Sequence, residues 1–265
     1  MSTTSYTITR WKAHHRSDAT LDLINEEPLS IRIQGKPYAV VLRTPGDDLA
    51  HTAGFCLAEG LVDQPGDIVQ LAACDGPDTN VVTVTLTPER QRCVAAHLDR
   101  RGYISQTGCG LCGKTLIDEL FQALTPLDDP IAIRPADARW HLDHLDQLQP
   151  LRRASRAAHA AALLDADLRP LAVAEDVGRH NALDKVVGRL FLDGRLDQAK
   201  VVVLSSRISY ELVQKSARAR IPIVLALSRP TRLAVELAAR LNITLAGPAK
   251  PEGMLFYCHP ERFAD

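Results

Sequence analysis

The sequence lacks the features that mark several classes of protein. Six cysteines in 265 residues are too few for the disulfide framework of a small secreted domain. The first twenty residues are basic and include no apolar stretch, so no secretory signal is expected there. The unbroken apolar runs, such as residues 201–204 and 223–227, have the length of strands and are too short to span a membrane. These features predict a cytoplasmic protein with no membrane or nucleic-acid partner.

Internal repeats and low-complexity segments are also missing. Hydrophobic residues make up 46% and charged residues 24% of the chain, which is typical of a soluble globular protein. The net charge of −1 conceals an asymmetry, because residues 1–100 have 9 Lys/Arg against 13 Asp/Glu, whereas residues 201–250 have 8 against 2. The basic stretch indicates either a solvated face or a folded surface that meets an anion.

The apolar pattern predicts a small α+β domain over residues 1–104. Its elements are a hairpin of residues 31–33 and 38–42, a helix over 48–59, strands over 69–73 and 81–86, and a helix over 88–100. Cys56 lies in the apolar stripe of the first helix and is expected in the core. Cys74, Cys93 and Cys258 have no partner at a useful spacing.

From residue 114 to residue 265 the pattern predicts a larger domain, in which strands alternate with helices. The strands are expected at 161–164, 171–174, 201–204, 221–227, 243–245 and 254–257, and the helices at 114–124, 135–148, 182–191, 210–219 and 231–241. Such alternation predicts α/β layers with helices on both faces of the sheet. Residues 105–113 are expected to form a loop between the two domains.

Polar residues come directly after the strands of the larger domain. They are Arg179 and His180 after one strand, Ser205, Ser206 and Arg207 after the next, Ser228 after a third, and the loop of Pro248, Ala249, Lys250, Pro251, Glu252 and Gly253 after a fourth. Ligands of layered sheets lie beyond the carboxyl ends of the strands, and hydroxyl or guanidinium groups before a helix suit phosphate oxygens. The arrangement predicts a site for a nucleotide-like anion, although a serine before a helix is often only an N-cap. Glu175 and Asp176 either contact that ligand or orient Arg179.

The most informative motif is Gly-Cys-Gly-Leu-Cys-Gly at residues 108–113. Glycine lets a partner approach closely, and an accessible Cys-x-x-Cys pair suits redox exchange, metal ligation or sulfur carriage. A structural zinc site requires four ligands, and the sequence has no second Cys-x-x-Cys pair. His141 and His144 could complete the set, but their spacing is more typical of a helix surface. A thioredoxin-like role would place the pair after an early strand. Cys112 precedes Lys114 at the start of a predicted helix, which favours a lowered thiol pKa.

Four segments of the chain resemble the FdhD/NarQ family of formate dehydrogenase accessory sulfurtransferases. They are GCGLCG at 108–113, AEDVGRHNALDK at 174–185, SSRISYELVQK at 205–215 and GFCLAEG at 54–60, and the tail at 257–260 also matches. The resemblance implies a homodimer whose larger domain is similar to the cytidine deaminase fold. It implies that Cys109 carries a persulfide with Cys112 as the helper thiol, and that residues 248–253 bind the cofactor.

The same resemblance implies the reaction and its partners. A cysteine desulfurase would donate sulfur, and the recipient would be the molybdenum or tungsten bis(molybdopterin guanine dinucleotide) cofactor of formate dehydrogenase, with GDP as a mimic and no resident metal. Two alternatives remain open from the residues alone, namely a non-catalytic escort for the cofactor and a thiol-disulfide oxidoreductase. The chain departs from the family pattern in the segment 155–159, where the Thr-Gly that the resemblance implies before His159 is missing. We interpret Arg156 as a substitute contact for phosphate there.

Overall fold

The amino-terminal strands form a two-stranded ribbon. A computed structural model of the chain describes residues 2–74, 80–95 and 124–264. In it, β1 (Thr3–Lys12) and β2 (His15–Ile24) pair antiparallel along their whole length. Tyr6, Leu21 and Leu23 share one face of the ribbon and are exposed. The sequence analysis did not predict this ribbon, because strands that bury neither face carry only a weak apolar alternation.

A four-stranded sheet follows the ribbon. It contains β3 (Glu27–Ile33), β4 (Lys36–Arg43), β5 (Ile68–Ala73) and β6 (Val81–Leu86) in the order β4-β3-β6-β5. The predicted hairpin is confirmed, since β3 and β4 pair antiparallel around Gln34 and Gly35, whose φ angles are 53° and 76°. A two-residue hairpin turn of this kind needs positive φ at both positions. Alternate residues of β3 and β4 are buried, so one face of the sheet packs on the core.

The larger sheet has six strands in the order β12-β11-β10-β9-β7-β8. The strands are β7 (His159–Leu164), β8 (Pro170–Asp176), β9 (Val201–Leu204), β10 (Ile223–Ala226), β11 (Thr244–Pro248) and β12 (Met254–Cys258). β9, β10 and β11 are parallel, whereas β7 and β12 run antiparallel to their neighbours. All six strands coincide with predicted ones, to within a few residues at their ends.

Helices cover both faces of the larger sheet, which confirms the predicted α/β layers. On one face, α3 (Pro135–His144) packs Ala138 and Leu142 against the strands. The other face is covered by α5 (Arg179–Leu192), α6 (Tyr210–Arg218) and α7 (Arg232–Arg240). The apolar stripe of each helix faces the sheet, since such burial is what stabilises an amphipathic helix.

Some predicted boundaries differ from the structure or cannot be placed on it. The helix predicted over 88–100 is the short α2 (Pro88–Cys93) among the described residues, and α3 is followed by a 3₁₀ turn at Leu145–Leu148 and by α4 (Pro150–Ser155). The predicted domain boundary at residue 104, the loop 105–113 and the first ten residues of the helix over 114–124 lie outside the described residues. No described helix is both long and apolar enough to cross a lipid bilayer.

Helix α1 (Asp48–Ala58) joins the smaller sheet to the larger one by packing on α5. Two glycines make this contact possible. A Cβ at Gly54 would lie 2.0 Å from the backbone oxygen of Asp184, and a Cβ at Gly188 would lie 1.8 Å from that of Ala50. The two helix backbones therefore approach more closely than any larger residue allows. One continuous hydrophobic core contains residues of both sheets and both helices.

The first prediction concerns this helix contact. Gly188→Ala should lower the free energy of unfolding by about 3 kcal/mol or more, because the added methyl group overlaps backbone that has no room to move. Gly66→Ala is the matched control, since a Cβ there would meet nothing within 4 Å. Urea unfolding of both variants measures the effect. Equal stability of the two variants would show that the helices do not approach as described.

Candidate functional site

The carboxyl ends of four strands, β8, β9, β10 and β11, lie at the same edge of the larger sheet. This edge runs across the strands and not along an outer strand. β8 runs parallel to β9, because both are antiparallel to β7, and β10 and β11 continue in the same direction. The turn 177–180, the residues Ser205, Ser206 and Arg207, the residue Ser228 and the loop 248–253 therefore share this edge, as the sequence predicted. His159 joins them, because the antiparallel β7 begins where its neighbours end.

His180 lies at the centre of a polar cluster near the start of α5 and α6. Its Nε2 is 3.1 Å from Ser209 Oγ and 3.7 Å from a carboxylate oxygen of Glu211. Burial, together with the positive charges of Arg179 and Lys215, lowers the pKa of His180 to about 4, against the pull of Glu211. His180 is therefore neutral near pH 7.

Glu211 is the acidic member of this cluster. Burial alone would raise its pKa, but hydrogen bonds from the Ser209 hydroxyl and from its own backbone N–H, the charge of Arg179 and that of His180 once protonated outweigh burial, so the pKa of Glu211 lies below its ordinary value. The side chain remains an ionised carboxylate, which leaves one negative charge among several cations at this edge.

Three buried polar atoms at this edge have no hydrogen-bond partner within the described part of the chain. They are Nε of Arg179, Nδ1 of His159 and the hydroxyl of Tyr210. Leaving a buried polar group unpaired costs about 1–3 kcal/mol. Burial and the nearby Arg207 lower the pKa of Arg179, and burial followed by Arg179 and Arg152 lowers that of His159. Unpaired donors beside repelling cations are suited to an anionic ligand.

The two serines after β9 are already partly engaged by the backbone. Ser205 Oγ accepts a hydrogen bond of 2.8 Å from the backbone N–H of Ala160, and Ser206 Oγ donates one of 3.0 Å to the carbonyl of Arg207. Ser205 thus closes the sheet edge between β7 and β9, and its own O–H is left for another acceptor. The side chains of Arg207 and Ser228 are exposed.

The loop 248–253 connects β11 and β12 as a hairpin. Arg139 of α3 donates hydrogen bonds of 2.9 and 3.0 Å to the carbonyls of Ala249 and Gly253, and the Ala249 N–H bonds the Gly253 carbonyl at 3.0 Å. The backbone is thereby held, while residues 250–253 are exposed. The sequence analysis did not single out Arg139, because its contact spans more than a hundred residues.

The family motif at 174–185 contains a buried ionic network that sequence reasoning did not find. Asp176 and Lys185 pair at 2.7 Å with side chains 0% and 3% exposed, and both also bond Thr44 at the end of β4. Lys215 of α6 binds Asp184 through both carboxylate oxygens at 2.8 Å. Burial raises the pKa of Asp184 to about 6.

Glu175 and Asp176 both make structural contacts, and of the two only Asp176 is bonded to the turn that presents Arg179, through the Gly178 N–H at 2.8 Å. Glu175 accepts hydrogen bonds of 2.7 and 2.8 Å from the backbone N–H groups of Leu151 and Arg152, so it holds the start of α4. Asp176 is fully buried in the network with Lys185. Both carboxylates are consumed by structural contacts, and the positive charge of Arg179 stays available.

Arg156 occupies a backbone conformation that favours glycine. Its φ is 59°, in the left-handed region, where it ends α4. A glycine, which the family resemblance implies at this segment, adopts that conformation without strain. The side chain of Arg156 is exposed, and its role as a phosphate contact stays a prediction.

The two thiols Cys109 and Cys112 lie outside the described residues. Among the other cysteines, Cys56 is fully buried, which confirms its predicted place in the core, and burial raises its pKa. Cys74 and Cys93 are exposed thiols. No three His, Cys, Asp or Glu side chains of the described ranges group as metal ligands.

The second prediction concerns His180 and pH. Its folded-state pKa of about 4 lies below the ordinary 6.5, so the unfolded chain binds more protons between these values and stability falls as pH is lowered through this window. His180→Gln should reduce the loss of unfolding free energy between about pH 7 and pH 4.5 by about 2–3 kcal/mol. Urea unfolding of both proteins at the two pH values measures it.

The comparison with the variant isolates His180 from Asp184. The raised pKa of Asp184 acts in the opposite direction between pH 4 and 6, and it is present in both proteins. The same pH dependence in wild type and variant would show that His180 does not titrate below its ordinary range.

Comparisons with known proteins agree with the motifs. The model of the FdhD/NarQ family matches residues 24–264. The sulfur carrier protein FdhD of Streptomyces coelicolor is 40% identical over 252 residues, which cover 91% of this chain and 89% of that protein. The one from Xanthomonas campestris pv. campestris is 38% identical over 251 residues, covering 93% and 88%. A Desulfotalea psychrophila protein described as a candidate formate dehydrogenase accessory protein has the same fold, with a TM-score of 0.79 at 22% identity over 100% of both chains. The chain belongs to the FdhD/NarQ family.

Proposed function

We propose that this protein carries sulfur as a persulfide on Cys109 and delivers it to the bis-guanine-dinucleotide cofactor that formate dehydrogenase requires. Relatives about 40% identical are named sulfur carrier proteins, and the chain has the glycine-flanked thiol pair that carriage needs. The observation that carries the proposal for the cofactor is the group of buried polar atoms of Arg179, His159 and Tyr210 at the edge of the larger sheet, which lack a partner in the described part of the chain. Pyrophosphate oxygens are suitable acceptors for such donors.

Loading of Cys109 moves one sulfur atom without a net change of redox state. The Cys109 thiolate attacks the outer sulfur of the persulfide on a cysteine desulfurase. A new S–S bond forms on Cys109, the S–S bond of the donor breaks, and the donor cysteine leaves as a thiolate. Glycines on both sides of Cys109 leave room for this encounter between two proteins.

Delivery of sulfide to a metal requires two electrons, and the second thiol supplies them. The Cys112 thiolate attacks the inner sulfur of the Cys109 persulfide, forms a Cys109–Cys112 disulfide and releases hydrosulfide toward the metal centre. A cellular thiol reductant then reopens the disulfide. The sequence Cys-x-x-Cys places the two sulfurs close enough along the chain for this exchange.

The described edge of the sheet has the charge needed to hold the nucleotide ends of the cofactor. Arg179 and Arg207 repel one another in the free protein, and a pyrophosphate between them replaces that repulsion by attraction. His180, neutral near pH 7, can donate one hydrogen bond and accept another. Lys250 on the exposed loop adds a further cation at the same edge.

The third prediction tests the sulfur step. After incubation with a cysteine desulfurase and cysteine, mass spectrometry of the intact protein should show one additional sulfur atom, located on Cys109 in peptide fragments. Cys109→Ala should abolish this addition and should fail to restore formate dehydrogenase activity in a deletion strain. Cys112→Ala should accept sulfur but release it slowly, because the resolving thiol is missing.

Cys74→Ala and Cys93→Ala are matched controls, since both residues are exposed free thiols outside the motif. Both variants should load sulfur like the wild type. Activity of Cys109→Ala in the deletion strain would overturn the proposal and favour a non-catalytic escort. Turnover of general disulfide substrates without persulfide formation would indicate a thiol-disulfide oxidoreductase.

The fourth prediction tests the anion site with GDP. Arg179→Gln should weaken GDP binding by roughly 10- to 100-fold, because one charge-assisted hydrogen bond contributes about 1.5–3 kcal/mol. The loss should shrink at high salt, where charge interactions are screened. Calorimetric titration measures the affinity. Arg195→Gln removes an exposed arginine beyond the far end of α5 and should bind GDP like the wild type; equal affinity of Arg179→Gln would place the ligand elsewhere.

A further inference from the structure

The turn that presents Arg179 and His180 has little internal support. It runs from the end of β8 to Gly178, the N-cap of α5, which as a glycine offers no side chain to cap that helix. Within the turn, the Gly178 N–H donates a hydrogen bond of 2.8 Å to Asp176 Oδ1. A turn of this kind needs contacts from elsewhere if its side chains are to hold one orientation.

Thr44, which follows β4 of the smaller sheet, provides those contacts. Its N–H donates to Asp176 Oδ2 at 3.0 Å, its Oγ1 accepts from the Val177 N–H at 3.0 Å, and its carbonyl accepts from Lys185 Nζ at 2.7 Å. The residue is 1% exposed. All three polar groups of one residue are thus committed to the segment 176–185, more than 130 positions away in the chain.

Lys185 makes this arrangement specific. Its side chain is 3% exposed, and its ammonium group bonds both Asp176 and the Thr44 carbonyl. A buried charge is tolerated only while its partners are in place. If the turn moved away from Thr44, Lys185 would lose one acceptor and Asp176 would lose one donor. The pair therefore holds the turn against the end of β4.

A second connection runs beside the first. Asn181 Nδ2 donates to the Leu42 carbonyl at 2.7 Å and to Asp176 Oδ1 at 2.9 Å. Leu42 and Thr44 lie on either side of Arg43, whose side chain is anchored by Asp48 at 2.8 Å. The end of β4 is consequently a fixed support, and the residues on both sides of Arg179 and His180 are bonded to it.

We propose that Thr44 is a positioning residue for the anion site: it fixes the turn 177–180, so that Arg179 and His180 are aligned for an anionic ligand before that ligand arrives. Thr44 itself does not touch the ligand. The inference deepens the proposed function and rests on it for the identity of the ligand. It assigns the smaller sheet a role in binding, since its strand β4 ends at the support.

Three variants test the proposal. Thr44→Val keeps the shape and the backbone contacts but removes the acceptor of the Val177 N–H, whereas Thr44→Ser keeps that acceptor. Thr244→Val is the matched control, because Thr244 is fully buried and its hydroxyl bonds the His259 carbonyl at 2.7 Å, at the far end of β11 from the loop 248–253. Each valine variant thus removes one buried hydroxyl.

Two measurements are made on each variant, namely GDP affinity by calorimetry and amide hydrogen exchange of a peptide covering residues 177–183. Thr44→Val should lower GDP affinity about tenfold, which corresponds to the loss of one hydrogen bond that aligns the site. It should also speed amide exchange across the peptide at residues beyond Val177. Thr44→Ser should restore both. Thr244→Val should lower the melting temperature while leaving GDP affinity and the exchange of this peptide unchanged.

The proposal is overturned if Thr44→Val lowers only the melting temperature, as Thr244→Val does, or if exchange rises without loss of GDP affinity. Failure of the proposed function is a separate result. It would be seen as a wild-type protein that neither accepts sulfur nor binds GDP. In that case the amide hydrogen exchange of residues 177–183 still tests whether Thr44 fixes the turn. The same exchange rate in Thr44→Val and in the wild type would show that it does not.

Discussion

The close approach of two helix backbones sets the geometry on which the rest of the structure depends. Gly54 and Gly188 let α1 and α5 touch through their main chains, so the smaller sheet is drawn toward the edge of the larger one. The segment between β4 and α1 then lies against the start of α5. Only at that separation can Thr44 reach Asp176 and can the ammonium group of Lys185 find two acceptors away from water. Packing and buried charge thus specify the same arrangement.

This arrangement has an energetic consequence for ligand binding. Arg179 is held beside Arg207, and its partly desolvated Nε has no hydrogen-bond partner among the described residues. Such a group is unfavourable in the free protein and becomes favourable when an anion supplies the missing acceptor. Because the supporting contacts are already made in the free protein, an anion that bound here would cost little conformational entropy. The stability of the fold offsets the cost of an electropositive edge that by itself would disfavour folding.

Much of this architecture was predictable from the sequence, because apolar periodicity marks strands and helices that bury one side. The hairpin turn at Gln34 and Gly35, the six strands of the larger sheet and the shared edge at their carboxyl ends are of this kind. The ribbon of β1 and β2 was not predicted, because strands that bury neither face show no clear alternation of apolar and polar residues. The thiol pair was found by its glycine spacing alone, as its residues 109 and 112 lie outside the described ranges.

The pairing of charged residues was not predictable, because it depends on contacts between distant parts of the chain. Glu175 and Asp176 are adjacent carboxylates, yet one holds the start of α4 and the other pairs with a lysine in the interior. Nothing local distinguishes them. Thr44 carried no signal at all, since a threonine at the end of a strand is common and its partners are more than 130 residues away. Periodicity reports burial, and it does not report which polar group is the partner.

The ribbon at the amino-terminal end offers a practical handle. Its two strands reverse at Ala13 and His14, whose φ angles are 44° and 65°, and ten paired residues place that reversal about 30 Å from the base. β2 also packs against α4, whose start is held by Glu175. The rotational freedom of a fluorophore attached at the reversal would therefore report both encounters of the ribbon with other macromolecules and movement of α4.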